Sequence, residues 1–177
     1  MIDPDDKDWT WVLREPCPDC GFDASTCLAT EVADLIRGNA RAWEALLSEG
    51  AIRPGEPGRD RWSGLEYACH VRDVYRRYDE RVRLMLEQDD PWYENWDQDV
   101  TAVEDRYDEQ DPATVVDELV VAAEAMAQRF DGVDAAGWER TGRRGEHDRF
   151  TVDTISRYLV HDPIHHVWDV SGRRAGA

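Results

Sequence analysis

Four stretches of the sequence place apolar side chains at the three- and four-residue spacing of an amphipathic helix. They cover about residues 23–48, 63–88, 111–130 and 151–170. No stretch alternates between apolar and polar residues in the way that indicates a half-buried strand. The sequence therefore predicts an all-α protein whose four helices pack as a four-helix bundle.

Specific residues mark where three of these helices begin or end. The run Ser63-Gly64-Leu65-Glu66 has the pattern of a capping box, in which the serine and glutamate side chains bond to free backbone N–H groups. Asp111 followed by Pro112 is typical of a helix start. Gly172 is typical of a helix end, because glycine adopts the left-handed conformation that terminates many helices.

The length of the chain indicates a simple domain organisation. With 177 residues it is long enough for one domain with a single core. We expect an irregular lead-in over residues 1–23, a four-helix bundle domain over 24–172 and a short tail over 173–177.

The segment between the second and third predicted helices, residues 89–111, is the most acidic part of the chain. It contains ten acidic residues and one arginine, and four aromatic residues lie among them: Trp92, Tyr93, Trp96 and Tyr107. A turn between antiparallel neighbours needs far fewer residues, so we predict a long crossover that lets helices two and three run parallel. The composition also supports an alternative function, a non-catalytic metal-binding or protein-interaction module that binds a basic partner through this segment.

The net charge of −18, from 39 acidic against 21 basic residues, limits the partners of the chain. Nucleic acids and anionic membrane surfaces both attract basic faces, so neither partner is expected. No apolar run approaches the roughly 20 residues of a membrane span, and the acidic N-terminus lacks the pattern of a signal peptide. We therefore expect a cytoplasmic protein with a small-molecule substrate, whose four cysteines are free thiols or metal ligands.

Three histidines predict a metal site. His161 and His165 lie four residues apart, so both imidazoles lie on one face of the fourth helix. His70, in the middle of helix two, would add a third nitrogen and leave coordination positions open, as in catalytic sites. The alternative for His70 is a hydrogen-bonded histidine within the core. Glu66 and Asp73 lie one turn from His70, and we expect them to orient its ring through its second nitrogen.

The lead-in contains Cys17-Pro18-Asp19-Cys20-Gly21, which resembles half of a zinc knuckle. A Cys₄ site needs a second pair, and only Cys27 is close in sequence. The favoured interpretation is therefore a set of thiols in a surface lead-in, with a second metal site as the alternative. Cys69 lies beside His70 but points about 100° away around the helix, so we expect it in the core.

Helix two also carries a basic stretch. Its members are Arg72, Arg76, Arg77, Arg81 and Arg83. We expect these arginines to form a solvated face that pairs with nearby acids. The alternative is that one of them orients an anionic thiol or a carboxylate substrate.

Two runs of the sequence resemble signatures of the DinB/YfiT-like superfamily. Residues Trp62–Asp73 are similar to its second-helix signature, a tryptophan and small-residue cap followed by a histidine. Residues Tyr158–His166 resemble its fourth-helix H-x-x-x-H-H signature, although Pro163 inside this run removes one backbone N–H. The resemblance covers about residues 24–170, and it implies a bundle with an up-down-down-up order of helices.

The resemblance also implies a metal, a cofactor and a reaction class. One divalent ion, zinc or nickel, would be held by His70, His161 and His165. Characterised relatives include thiol-dependent S-transferases and a mycothiol-dependent maleylpyruvate isomerase, which implies a low-molecular-weight thiol such as mycothiol bound as thiolate. We therefore expect a metal-dependent S-transferase or isomerase that acts on a small electrophile, and a homodimer is compatible with this. A di-iron bundle is disfavoured, because paired Glu-x-x-His motifs on two helices are absent.

Overall fold

The computed structural model describes residues 9–48, 50, 62–146 and 148–176. Within these residues the chain forms six α-helices: α1 (Val32–Ser48), α2 (Gly64–Glu87), α3 (Gln98–Glu104), α4 (Pro112–Asp131), α5 (Ala135–Trp138) and α6 (Val152–Ser171). The four long helices, α1, α2, α4 and α6, correspond to the four predicted from the apolar spacing.

The starts of α2 and α4 are fixed by the capping residues that the sequence indicates. Ser63 Oγ accepts a hydrogen bond from Glu66 N (3.2 Å), and Ser63 N donates to Glu66 Oε2 (2.7 Å). Asp111 accepts a hydrogen bond from Thr114 N (2.9 Å), and Pro112 occupies the first helical position. Because these bonds satisfy N–H groups that have no partner inside the helix, they define where each helix begins.

Helix α1 begins later than predicted, at Val32 and not near Asp23. The Asp23 carboxylate accepts hydrogen bonds from the backbone N–H (3.0 Å) and the hydroxyl of Ser25, which closes a local turn. Short polar side chains often bond the backbone next to them in this way, and such bonds compete with helix formation. The apolar spacing therefore extends beyond the helix at this end.

The prediction of an all-α fold is wrong in one respect, because a small sheet accompanies the helices. Strand β1 (Trp92–Tyr93) pairs in parallel with β2 (Thr141–Arg144), and β2 pairs antiparallel with β3 (Asp148–Thr151). Strands of two to four residues contain too few positions to produce a period-two pattern. The pairing of β1 with β2 joins residues about 50 positions apart, so it depends on tertiary structure, whereas β2 and β3 form a local hairpin.

The acidic segment 89–111 is packed against the rest of the protein at both ends. Asp90 accepts hydrogen bonds from the Thr141 hydroxyl (2.8 Å) and from Arg143 Nε (2.7 Å), both in β2. Tyr107 is fully buried, and its hydroxyl donates to Asp73 in α2 (2.6 Å). The segment is therefore an ordered part of the domain surface that contacts both the sheet and the bundle.

The four long helices surround one apolar core, because α1 and α2 each pack against both α4 and α6. The largest fully buried side chains of this core include Trp43, Tyr75, Leu119, Met126 and Ile155. None of the described helices is both long and apolar enough to cross a bilayer. Residues Trp9–Leu13 of the lead-in pack on α6, so α6 contacts α1, α2 and the lead-in.

Candidate metal centres

Helix α6 presents two pairs of potential metal ligands, each spaced four residues apart. His161 with His165 forms one pair, and Asp162 with His166 forms the other, about 100° further round the helix. The first pair lies beside the lead-in and the second beside α2. Helix α6 therefore contributes to two different clusters of side chains that have metal-ligand chemistry.

The first cluster, called here the α2–α6 cluster, consists of His70, Asp162 and His166, with one potential ligand atom of each within 4.8 Å of the others. His70 Nε2 lies 3.3 Å from Asp162 Oδ2, and His166 Nε2 lies 3.4 Å from Asp162 Oδ1. Nitrogen and oxygen ligands that share one tetrahedral metal lie about 3.4 Å apart. The spacing of the cluster therefore fits a single divalent ion.

Three buried atoms of the α2–α6 cluster have no hydrogen-bond partner among the described residues: both ring nitrogens of His70 and Oδ2 of Asp162. The 3.3 Å approach between Nε2 and Oδ2 lacks hydrogen-bond geometry. The Trp96 ring stacks on the His70 ring with 5.3 Å between the ring centroids. The centroid of the Trp62 ring lies 5.0 Å from that of His70, so the His70 ring is held in place. Each unsatisfied buried polar atom costs about 1–3 kcal/mol. A metal between His70 and Asp162 would satisfy the two atoms that face each other, so the residues fit a metal.

Two of the three residues of the α2–α6 cluster carry the charge that metal binding requires. Burial lowers the pKa of His70, which keeps this imidazole neutral. Burial also opposes protonation of His166, but the carboxylates of Asp162 and Asp169 outweigh it and raise the pKa of His166 to about 9. Burial disfavours ionised Asp162, yet His166 and His70 outweigh burial and lower the pKa of this carboxyl group. The neutral imidazole of His70 and the ionised carboxylate of Asp162 are forms that bind metals, whereas a metal would have to displace a proton from His166.

Asp169, one turn beyond the α2–α6 cluster, fixes the orientation of His166. Its Oδ2 lies 2.8 Å from His166 Nδ1, so Nε2 is the nitrogen that faces Asp162. The same oxygen lies 3.8 Å from His165 Nε2. A carboxylate on the far nitrogen of an imidazole is a common support for metal-binding histidines, because it fixes the tautomer and the ring orientation.

The second cluster, called here the lead-in cluster, consists of Cys17, Cys20, His161 and His165. Cys17 Sγ lies 3.5 Å from His165 Nδ1, although these residues are 148 positions apart in the chain. Both cysteines are buried, at 2% and 0% exposure, so the expectation of surface thiols is wrong. Burial raises the pKa of the Cys20 thiol to about 12 and lowers the pKa of His161 to about 4.

The structure distributes the three predicted ligands between the two clusters. His70 lies in the α2–α6 cluster, whereas His161 and His165 lie in the lead-in cluster. Sequence reasoning did not single out Asp162 or His166, although their spacing of four residues is the same as that of the predicted pair. That spacing could have identified Asp162 and His166, because a carboxylate and a histidine one helical turn apart lie on the same face and can bind one metal.

The two acids predicted to orient the α2 histidine form hydrogen bonds elsewhere. Glu66 accepts from the Ser63 backbone N–H as part of the α2 cap. Asp73 accepts from Arg72 Nε (2.9 Å) and from the Tyr107 hydroxyl (2.6 Å). These contacts give Glu66 a role in starting the helix and Asp73 a role in holding the acidic segment against α2.

A cleft of about 390 Å³ opens beside the α2–α6 cluster. All three residues of the cluster line it, and so do Trp9 of the lead-in and Trp96–Asp99 of the acidic segment. The lining also includes Arg81, Arg144, two tyrosines, and His161 and His165. The acidic segment 89–111 is therefore one wall of the cleft, and the cluster is open toward that space.

Arg81 is a buried cation that lines this cleft. It is 5% exposed, and its Nη2 donates a hydrogen bond to the Glu94 carbonyl oxygen (3.0 Å). Its guanidinium carbon lies 4.9 Å from the ring centroid of Tyr78 and 5.0 Å from that of Tyr93. Burial lowers its pKa, and within the described part of the chain no carboxylate forms an ion pair with it. A buried arginine without an anionic partner favours binding of an anionic group in the cleft.

Comparison with known proteins agrees with the helical architecture. The sequence profile of the DinB superfamily matches residues 4–170. The structure is similar to that of YfiT from Bacillus subtilis, with a TM-score of 0.73 and 13% sequence identity over 81% of this chain and 84% of that chain. YfiT is described as a probable metal-dependent hydrolase with an unusual four-helix bundle topology. No curated protein matches the sequence.

Proposed function

The chain belongs to the DinB superfamily, and from that membership we propose that it is a metal-dependent enzyme whose ion is held by His70, Asp162 and His166. The observation that carries the proposal is the position of these three potential ligands on the wall of a cleft. Three protein ligands leave coordination positions for water or substrate, which is the pattern of catalytic sites. Of the three histidines predicted from the sequence, this set contains only His70. Asp162 and His166 take the places of His161 and His165.

The proposed reaction is transfer or isomerisation that depends on a low-molecular-weight thiol such as mycothiol. A divalent ion, zinc or nickel in this proposal, supplies deprotonation of a bound thiol or water near neutral pH. Asp169 holds the His166 ring through Nδ1, and Trp96 packs on the ring of His70, so both imidazoles are fixed before the ion binds. Arg81, which lines the same cleft, would bind an anionic group of the thiol or of the electrophile. A reducing cytoplasm would keep such a thiol available.

Hydrolysis is the second candidate, and the description of YfiT as a probable metal-dependent hydrolase favours it. In that case water and not a thiol would be deprotonated, and the same three residues would hold the ion. The non-catalytic alternative, a binding module that uses segment 89–111, would have neither activity.

We also propose the up-down-down-up order of the four long helices. Arg72 near the start of α2 pairs with Glu118 near the start of α4 (3.0 Å). Asp79, further along α2, pairs with Arg129, further along α4. Ion pairs in this register support a parallel arrangement of α2 and α4, which is what the long acidic crossover permits.

The test of the proposed function combines metal analysis with two substrate panels. Protein loaded with zinc or nickel is assayed with mycothiol, glutathione and cysteine against small electrophiles, and with activated esters and amides in the absence of thiol. We expect turnover that requires both the ion and a thiol. Hydrolysis without thiol would support the second candidate, and metal-loaded protein that is inactive in both panels would contradict an enzymatic function.

Replacement of Arg81 by methionine is expected to weaken binding of anionic substrates while their neutral analogues bind as before. Hydrogen bonds to charged groups contribute about 1.5–3 kcal/mol, so KM should rise roughly 10- to 150-fold. The matched control is Arg83→Met, because Arg83 lies on the same helix but pairs with Glu87 at the surface (2.6 Å). Equal effects of Arg81→Met on anionic and neutral substrates would argue against an anion-binding role.

A further inference from the structure

We propose that the lead-in cluster is a second metal site, in which Cys17, Cys20, His161 and His165 bind one Zn²⁺ and tie the lead-in to α6. This site is separate from the α2–α6 cluster and does not depend on the proposed enzymatic function. Two thiolates and two imidazoles form a complete tetrahedral zinc sphere, so the site is closed and has a structural role.

The positions of the donor atoms fit this coordination. One potential ligand atom from each of the four residues lies within 4.8 Å of the others. Bond lengths of 2.3 Å for Zn–S and 2.0–2.1 Å for Zn–N place sulfur and nitrogen about 3.6 Å apart in a tetrahedral site. The distance between Cys17 Sγ and His165 Nδ1 is 3.5 Å, which is close to that value.

A second, independent observation points to an ion at this place. His161 is 4% exposed, and its Nε2 is buried without a hydrogen-bond partner among the described residues. Native proteins rarely leave a buried ring nitrogen unpaired. Coordination to zinc would satisfy this imidazole and would also give the two buried thiols an electrostatic partner.

Backbone hydrogen bonds hold the loop with the two cysteines in a tight turn. Gly21 N donates to the Cys17 carbonyl oxygen (2.9 Å), and Cys17 N donates to that of Phe22 (2.9 Å). Gly21 has a φ of +78°, a left-handed conformation that glycine adopts without steric cost. Ala175 N, near the end of the chain, donates to the Cys20 carbonyl oxygen (2.8 Å). Bonds within the turn and one bond from Ala175 thus stabilise it without an ion.

The proposed zinc also affects the shape of the neighbouring cleft. The Trp9 ring lies 5.7 Å from the ring of His161 and 5.6 Å from the ring of His165, and Trp9 lines the cleft. An ion that joins the two cysteines to α6 would therefore keep Trp9 in the wall of the cleft. Loss of this ion is expected to loosen the lead-in and leave the bundle folded.

Cobalt substitution and metal counting test the proposal. Reduced protein is titrated with Co²⁺, and each sample is then exchanged with Zn²⁺ and analysed for bound metal. We expect thiolate-to-cobalt charge-transfer bands in the natural protein, because only the lead-in cluster contains thiols. Cys17→Ser and Cys20→Ser should lose these bands and one zinc per chain, whereas the controls Cys27→Ser and Cys69→Ser should keep both.

Zinc X-ray absorption on the natural protein keeps the proposal testable if a cysteine variant fails to fold. The Asp162→Asn variant should still bind one zinc, because that substitution affects only the α2–α6 cluster. Two sulfur scatterers at this zinc would support the site. Absence of sulfur scatterers, a Cys17–Cys20 disulfide in the protein as isolated, or charge-transfer bands that survive both substitutions would overturn the proposal. Failure of the enzymatic function would leave these results unchanged.

Discussion

Asp162→Asn is expected to remove one metal ion per chain and to lower kcat/KM at least about 10³-fold. The substitution keeps the shape of the side chain and removes the carboxylate that faces both His70 and His166. A bound ion contributes several kcal/mol to stabilisation of transition-state charge, and about 4 kcal/mol corresponds to a thousandfold change in rate. Metal content by mass spectrometry and the activity identified in the substrate panels are the two measurements.

Two further variants make this prediction specific. Asp153 lies on the same helix but pairs with Arg157 outside the cleft. We therefore expect Asp153→Asn to keep the metal content and activity of the natural protein. His161→Ala distinguishes the two possible ligand sets, because the sequence prediction placed His161 on the same ion as His70. If His161→Ala removes the catalytic ion and Asp162→Asn retains it, the proposed set of ligands is wrong.

Trp43→Ala is expected to lower the free energy of unfolding by about 3–5 kcal/mol, a large fraction of the total for a typical domain. Trp43 is fully buried in the second half of α1, and its removal leaves a cavity that the packed helices cannot close. Urea denaturation of metal-saturated protein provides the measurement. The effect should be global, since this residue belongs to the core that all four long helices share.

Trp43→Phe and Val121→Ala are the controls for this stability prediction. The indole N–H of Trp43 has no hydrogen-bond partner among the described residues, so phenylalanine removes an unsatisfied group and keeps most of the ring. We expect a cost below about 1.5 kcal/mol for Trp43→Phe. Val121 is 70% exposed on α4, and its replacement by alanine should change stability by less than about 0.5 kcal/mol. Comparable losses in all three variants would contradict the assignment of Trp43 to the core.

Much of the helical framework could be predicted because its signals are local. The Ser63–Glu66 capping box, the Asp111-Pro112 start and Gly172, with a φ of 73°, all lie where the sequence indicates. A cap depends on hydrogen bonds between residues three or four apart, so the spacing of residue types is enough to reveal it. The sheet was missed, because its strands are too short for a period-two pattern and β1 pairs with residues about 50 positions away.

The sequence by itself determined that the chain has four long helices and that α6 carries metal-ligand side chains at one-turn spacing. Tertiary structure alone decided which of these side chains act together. The six residues from His161 to His166 contain two ligand pairs offset by about 100°, and spacing within one helix gives no preference between them. The partners, His70 of α2 and the two cysteines of the lead-in, come from distant parts of the chain and face different sides of α6. Because a ligand set is assembled by packing across the whole domain, the division into two clusters appears only in the folded protein.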